Sequence, residues 1–175
     1  MPTETFYALA ADPASARGIE RVLALKGRDG SKPLLVLFAS REQLEPLGVA
    51  AAPAVLDRFM AIWPAPLTVV LPLVRPLPAS LGASSLAVRL PAHDALRALL
   101  SRVGPLTGTS WNRSGEPPRS DPDADDDPAE IDLVVDGGRT PGGAPSTLLD
   151  ATVSPPRVLR AGAFPWPPEE SSVPC

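Results

Sequence analysis

At 175 residues, with 44% hydrophobic but only 5% aromatic side chains, the chain is expected to form one domain around a core of Leu, Val, Ala and Ile. A single histidine, His93, and a single cysteine, the terminal Cys175, argue against a histidine metal centre, a Ser-His-Asp triad or an internal disulfide. The net charge of −4 is uneven: residues 1–115 hold twelve basic and eight acidic side chains, whereas 116–136 hold nine acidic ones and only Arg119, so a pocket on the first part can attract anions.

Asp12-Pro13 is a helix start, with Asp as N-cap and Pro at the first helical position. Ile19, Val22, Leu23 and Lys26 then share one face, and Gly27 ends the helix. Pro33 to Ala39 is a continuous apolar run of strand length, expected as a buried central strand. Ser40 with Gln43 gives a capping-box pattern for a short helix ending near Gly48, and Pro53 to Trp63 reads as another helix. Leu67–Leu73 and Leu86–Leu90 are the next strands, the second with Arg89 set among apolar residues. An arginine there needs an anionic ligand or a buried Asp.

His93 to Val103 is an amphipathic helix with Leu96, Leu99 and Leu100 inward, and His93 is its start rather than a catalyst. Leu106 to Ser110 is a short strand entering a polar loop that runs from Trp111 to Glu130. Ile131–Val135, Ser146–Ala151 and Arg157–Arg160 are three more strands, the first stopped by Asp136-Gly137-Gly138. The Pro- and Glu-rich stretch from Phe164 is expected to be loosely held. Residues 1–163 form the domain and 164–175 a tail. Strands alternating with helices early and clustering late predict an α/β (mixed α+β) fold, a twisted mixed sheet with flanking helices. No apolar run approaches the ~18 residues of a membrane span and no signal peptide is visible, so a cytoplasmic protein is expected. Asp121, Asp123 and Asp125 imitate a calcium loop, but Asp126 stands where Gly is needed and Asp132 where Glu is, so no metal site is expected.

Four segments place polar residues where strands or helices end. They are Pro2-Thr3-Glu4-Thr5-Phe6-Tyr7-Ala8-Leu9; Lys26-Gly27-Arg28 through Lys32-Pro33-Leu34; Thr109-Ser110-Trp111-Asn112-Arg113-Ser114-Gly115-Glu116-Pro117; and Pro141-Gly142-Gly143-Ala144-Pro145-Ser146-Thr147 followed by Arg160-Ala161-Gly162. Lys26 and Lys32 are the only lysines in an arginine-rich chain. A compact ammonium beside a guanidinium fork suits phosphate chemistry, although each segment alone also reads as a turn or cap.

Together with Trp63-Pro64-Ala65-Pro66-Leu67-Thr68 and Val88-Arg89-Leu90-Pro91, these segments resemble the YrdC/TsaC family of threonylcarbamoyl-AMP synthases, from Pro2 to Gly162. The resemblance implies a concave basic cleft and a reaction in which L-threonine, bicarbonate and ATP give threonylcarbamoyl-adenylate and pyrophosphate, a nucleotidyl transfer that feeds the t6A modification of tRNA. It implies that Lys26, Arg28, Ser110 and Asn112 are catalytic. Thr5, Tyr7, Arg89 and Ser146 would hold threonine, and Arg28, Lys32, Ser85, Ser110 and Arg160 the nucleotide. Mg²⁺ is expected with ATP, and tRNA or double-stranded RNA and the t6A transferase machinery are expected partners.

The chain departs from the family pattern in places. Ala8 replaces a glycine and is expected to crowd the threonine site if that glycine served positive φ or close approach. Trp111 replaces a small residue and is expected at the pocket rim, and Asp29 adds a negative charge beside the cations. The family carries a strand and helix ahead of Pro-Thr-Glu-Thr. Without them a sheet edge is expected to be unpaired, with Thr5 and Tyr7 on a mobile end. Two other readings stay open. One is a non-catalytic RNA-binding paralogue, and the other is a carbamoyl-adenylating activity like that of the related domain in hydrogenase-maturation proteins.

Overall fold

The computed structural model describes residues 1–27, 32–122 and 131–167. Eight strands are present among them: β1 (Ala8–Leu9), β2 (Val36–Leu37), β3 (Leu67–Pro72), β4 (Ser85–Arg89), β5 (Leu106–Thr107), β6 (Thr109–Ser110), β7 (Thr147–Asp150) and β8 (Arg157–Arg160). Three α-helices accompany them: α1 (Ala16–Lys26), α2 (Pro53–Ile62) and α3 (Asp94–Val103). Six strands form a mixed sheet in the order β5-β2-β4-β3-β7-β8, and β1 pairs antiparallel with β6 in a separate two-stranded ribbon. This is the expected α/β architecture, with β2 paired on both sides.

The central strands alternate with period two. In β3, Leu67, Val69 and Leu71 are fully buried in the core, and so are Leu86 and Val88 of β4. The intervening Thr68, Val70, Ser85, Ala87 and Arg89 face a cleft on the other side of the sheet. Beneath the core face pack Ile19 and Val22 of α1 and Phe59 of α2, with Trp63. A smaller cluster joins Leu96 and Leu100 of α3 to Leu37, Ala8 and Met1.

Local chemistry sets the helix ends. Helix α1 starts three residues later than the Asp12-Pro13 signal predicts, because Ser15 is the N-cap and accepts from Gly18 N, while Asp12 caps the preceding turn through Ala14 N at 2.8 Å. Gly27 ends the helix with φ of 58°, a left-handed conformation that glycine adopts without a Cβ penalty. His93 caps α3, its Nδ1 accepting from Leu96 N at 3.1 Å. The capping box at Ser40 does not form. Ser40 makes no side-chain cap to the 3₁₀ turn Arg41–Leu44, and Gln43 Oε1 accepts from Ala39 N instead.

Three further expectations are corrected. Ile131–Val135 is not a strand, since it has no ladder partner among the described residues. It lies along α1, where Asp132 pairs with Arg21 at 2.7 Å, and it leaves Leu133 76% exposed. The front segment does not hang free: Trp111 N donates to Tyr7 O and Tyr7 N to Arg119 O, so β6 and the loop after it hold residues 7–9. Phe164 and Trp166 are not loose either. Thr147 Oγ1 donates to Phe164 O at 2.5 Å, and Trp166 packs on Phe59 with the Arg58 guanidinium over its ring. Residues 168–175 lie outside the described residues, as do Asp29 and the Asp123, Asp125 and Asp126 of the acidic loop.

Candidate active site

A cleft of about 610 Å³ opens between the polar face of β3, β4 and β7, the front segment and β6. Two motifs build its floor. Trp63 Nε1 donates to Leu67 O at 2.7 Å and Thr147 N donates to Pro66 O at 3.0 Å, so the Trp-Pro-Ala-Pro-Leu-Thr segment aims Thr68 at the cleft. Thr68 Oγ1 lies 2.8 Å from Ser146 Oγ, and both are buried. Arg160 Nη2 donates to Ser146 O at 2.9 Å, bringing β8 to the same place.

Gly162 explains why a glycine follows Arg160. A Cβ there would come within 2.2 Å of Pro145 O and 2.6 Å of Thr147 N, so only glycine lets the two segments touch.

The front segment forms the second wall. Thr3 Oγ1 accepts from Thr5 N and Phe6 N and donates to Phe6 O, a hydroxyl turn that presents Thr5 and Phe6 to the cleft. Gly142 N donates to Thr5 O at 2.7 Å and holds the turn from outside. The Tyr7 hydroxyl donates to Gly138 O at 2.8 Å and accepts from Gly137 N at 3.0 Å. Burial, reinforced by the Asp136 charge, pushes its phenol above the ordinary value and keeps it a neutral donor. The Asp136-Gly137-Gly138 turn thus anchors Tyr7.

Of the predicted catalytic residues, Lys26, Ser110 and Asn112 meet. Lys26 Nζ lies 2.6 Å from Ser110 O and 2.9 Å from Asn112 Oδ1, and Ser110 Oγ donates to Asn112 Oδ1 at 2.6 Å. Lys26 is buried because the last turn of α1 turns it inward on the face of Ile19 and Val22, where the helix C-terminus also favours a cation. Ser110 lines the cleft directly, and Lys26 and Asn112 stand one hydrogen bond behind it. Arg28 lies outside the described residues.

Thr5, Tyr7, Lys32, Ser85, Arg89, Ser146 and Arg160 all line the same cleft. Its wall is therefore cationic and hydroxyl-rich, with apolar stretches such as Pro33-Leu34-Leu35. No described carboxylate lines it. That donor set does not make a protein-held Mg²⁺ site, which takes one or two carboxylates.

Arg89 is 4% exposed, and burial pulls its guanidinium below the ordinary value while Glu4 opposes the pull. The expected acidic partner is a glutamate rather than an aspartate: Glu4 Oε1 lies 3.6 Å from Arg89 Nη1. The motifs assign no site role to Thr68, which lines the cleft, or to Glu4, which stands behind Arg89. Thr68 was detectable as the last residue of its motif on an alternating strand, whereas nothing local links Glu4 to a residue 85 positions away. Two departures from the family pattern also resolve. Ala8 sits in extended β1, so positive φ is not required there; it lines the cleft and also belongs to the cluster of Leu37, Leu96 and Leu100. Trp111 is not at the cleft rim: it turns the other way, edge-on to Tyr7 at 6.2 Å between ring centroids, with the Arg119 guanidinium over it at 5.4 Å.

The chain is similar to known proteins. A family model named Sua5_yciO_yrdC, described as "Telomere recombination", matches residues 1–162. A threonylcarbamoyl-AMP synthase of Pyrococcus abyssi is 37% identical over 94% of this chain and 50% of its own length. One from Thiobacillus denitrificans is 35% identical over 91% of this chain and 86% of its own. The crystal structure of P. abyssi Sua5 complexed with L-threonine superposes with a TM-score of 0.82 at 37% identity, covering 94% of this chain and 50% of that one. The chain thus spans about half the length of its archaeal relative and most of the bacterial one. Among the described residues no helix is long and apolar enough to cross a membrane.

Proposed function

The chain belongs to the Sua5/YciO/YrdC family, and on that premise we propose that it is an L-threonylcarbamoyladenylate synthase, a nucleotidyltransferase using L-threonine, bicarbonate and ATP. The observation that carries this reading is the convergence of Lys26 and Asn112 on Ser110 at the wall of the cleft that Arg89, Lys32 and Arg160 also line.

The reaction joins anions. The threonine amine takes up bicarbonate with loss of water to give a carbamate. A carbamate oxygen then attacks the α-phosphorus of ATP, the bond from that phosphorus to the bridging oxygen breaks, and pyrophosphate leaves. Little covalent work falls to the protein, so catalysis is positioning and charge stabilisation.

Arg89 is the group to pair with the threonine carboxylate, because its guanidinium enters the cleft from a low-dielectric wall. The Thr68–Ser146 hydroxyl pair and Thr5 offer neutral hydrogen bonds to the rest of the amino acid. Lys32 and Arg160 would hold phosphates, with Arg28, and Ser85 would contact the nucleotide. Lys26 fixes Ser110 and Asn112 and puts a buried positive charge behind Ser110, where charge develops on the α-phosphate. Mg²⁺ would enter with ATP as part of the substrate, since the wall supplies no carboxylate to keep it. The adenylate would serve the t6A modification of tRNA, with tRNA or double-stranded RNA and the t6A transferase machinery as downstream partners, in the cytoplasm.

The test is incubation of the chain with ATP, L-threonine and bicarbonate, with pyrophosphate and the adenylate followed together. Release of pyrophosphate that requires both threonine and bicarbonate, with the adduct seen by mass spectrometry, is expected. RNA binding with no threonine-dependent turnover would favour the non-catalytic reading instead.

A further inference from the structure

We propose that Glu4 is a positioning residue that sets which charge type the amino-acid end of the cleft accepts: acting through Arg89, it favours a zwitterion over a bare carboxylate. The proposal rests on the synthase reading and deepens it by giving the site a rule for its substrate.

Glu4 sits at the centre of the hydroxyl turn that Thr3 pins. Its side chain is only 12% exposed, both carboxylate oxygens are buried, and neither makes a hydrogen bond among the described residues. It does not line the cleft, but Arg89 does. A ligand therefore touches Arg89 and senses Glu4 only through it.

The pair is not closed. A carboxylate that simply satisfied a buried arginine would approach to about 2.7–2.9 Å and take its N–H groups. Here the separation is 3.6 Å, and Arg89 Nε also has no hydrogen-bond partner among the described residues. Glu4 thus cancels the charge of Arg89 without consuming the donors that a ligand carboxylate would use.

The cancellation has a chemical consequence, because charges in a poorly screened site act strongly. Arg89 and Glu4 together sum to zero. A zwitterion brings its carboxylate to Arg89 and leaves the sum unchanged, whereas a carboxylate without an amine leaves an uncompensated negative charge. Arg160 is the other charge felt at Arg89. It lines the same cleft but is the cation that the nucleotide phosphates would neutralise. Rejection by an unpaired charge is a common route to specificity.

The experiment is titration calorimetry at fixed ionic strength with L-threonine, with 3-hydroxybutyrate (the same carboxylate and hydroxyl without the amine) and with L-threoninamide. The unaltered chain is expected to bind L-threonine at least ten-fold more tightly than either analogue. Glu4→Gln should shrink the preference over 3-hydroxybutyrate ten-fold or more, chiefly by tightening 3-hydroxybutyrate, a change that a merely structural role would not produce. Equal weakening of both ligands, or an unchanged ratio, overturns the proposal and leaves the synthase reading intact. Should Glu4→Gln fail to fold, the unaltered chain decides alone, since equal affinity for threonine and 3-hydroxybutyrate overturns the proposal. Absence of threonine binding by the unaltered chain sinks the synthase reading, and this proposal with it.

Discussion

The Lys26 ammonium lies 2.6 Å from the carbonyl oxygen of Ser110, so the end of α1 and the end of β6 are held by one charge. Lys26→Met keeps the length and removes the charge. It should cut threonine-dependent pyrophosphate release by about 100-fold or more, the scale seen when one preorganised electrostatic group is deleted. Lys26→Arg should not rescue it. A single ammonium nitrogen here serves both Ser110 O and Asn112 Oδ1, and a planar fork cannot reproduce that geometry. Retention of more than a tenth of the activity in Lys26→Met would remove Lys26 from the mechanism.

Arg89 separates binding from folding. Arg89→Gln should raise the KM for L-threonine by about 10–100-fold, the worth of a charged hydrogen bond, with the KM for ATP nearly constant. It should also cost about 3–5 kcal/mol of stability, because Glu4 is left buried and unpaired. Replacing both residues by leucine should recover most of that stability without recovering threonine binding. Initial-rate kinetics and urea unfolding of the single and double variants check the two halves. A threonine KM that does not move would take Arg89 out of the amino-acid site.

Much of this arrangement is legible in the chain. Lys26 falls on the Ile19–Val22 face at helical spacing, so its burial follows from periodicity. The alternation in Ser85–Arg89 likewise separates cleft side chains from core ones. What is not legible depends on distant partners. Ile131–Val135 has strand composition, but strand formation needs a ladder, and this segment lies against α1 instead. Trp111 reads as a pocket residue from its neighbours Ser110 and Asn112. Its place is nevertheless set by Tyr7 and Arg119, which draw the ring to the opposite side of the ribbon. Glu4 is visible only as a member of the Pro-Thr-Glu-Thr motif, and its pairing is not, because Arg89 comes from β4 far along the chain.

Gly162 should tolerate no side chain. An added Cβ would meet the backbone of Pro145, Ser146 and Thr147, which cannot rotate out of the way as a side-chain tip could. Gly162→Ala is expected to lower stability by about 1–3 kcal/mol, as overpacking does, and so to depress Tm by several degrees. Because the displaced strand carries Ser146 and the nearby Arg160, activity should fall further than the loss of folded protein explains. Thermal unfolding followed by assay at a temperature where the variant is fully folded separates the two effects. A variant as stable as the parent would contradict the close approach.

Tyr7 gives a pH signature with a definite sign. Burial, with the Asp136 charge, raises the phenol above its ordinary value of 10 in the folded chain. The folded state therefore prefers the protonated form. That contribution is fully present below pH 10 and is lost as pH rises from there through the raised folded value. Tyr7→Phe has no such group. It should be less stable than the parent at neutral pH by about 1–2 kcal/mol, because Gly137 N and Gly138 O lose their partner. The gap should then narrow as the parent alone must ionise a raised phenol once the pH climbs above 10. Urea unfolding of both proteins across that range is the measurement. Stability curves that stay parallel from neutral pH to well above pH 10 would mean that the phenol is not held neutral by its surroundings.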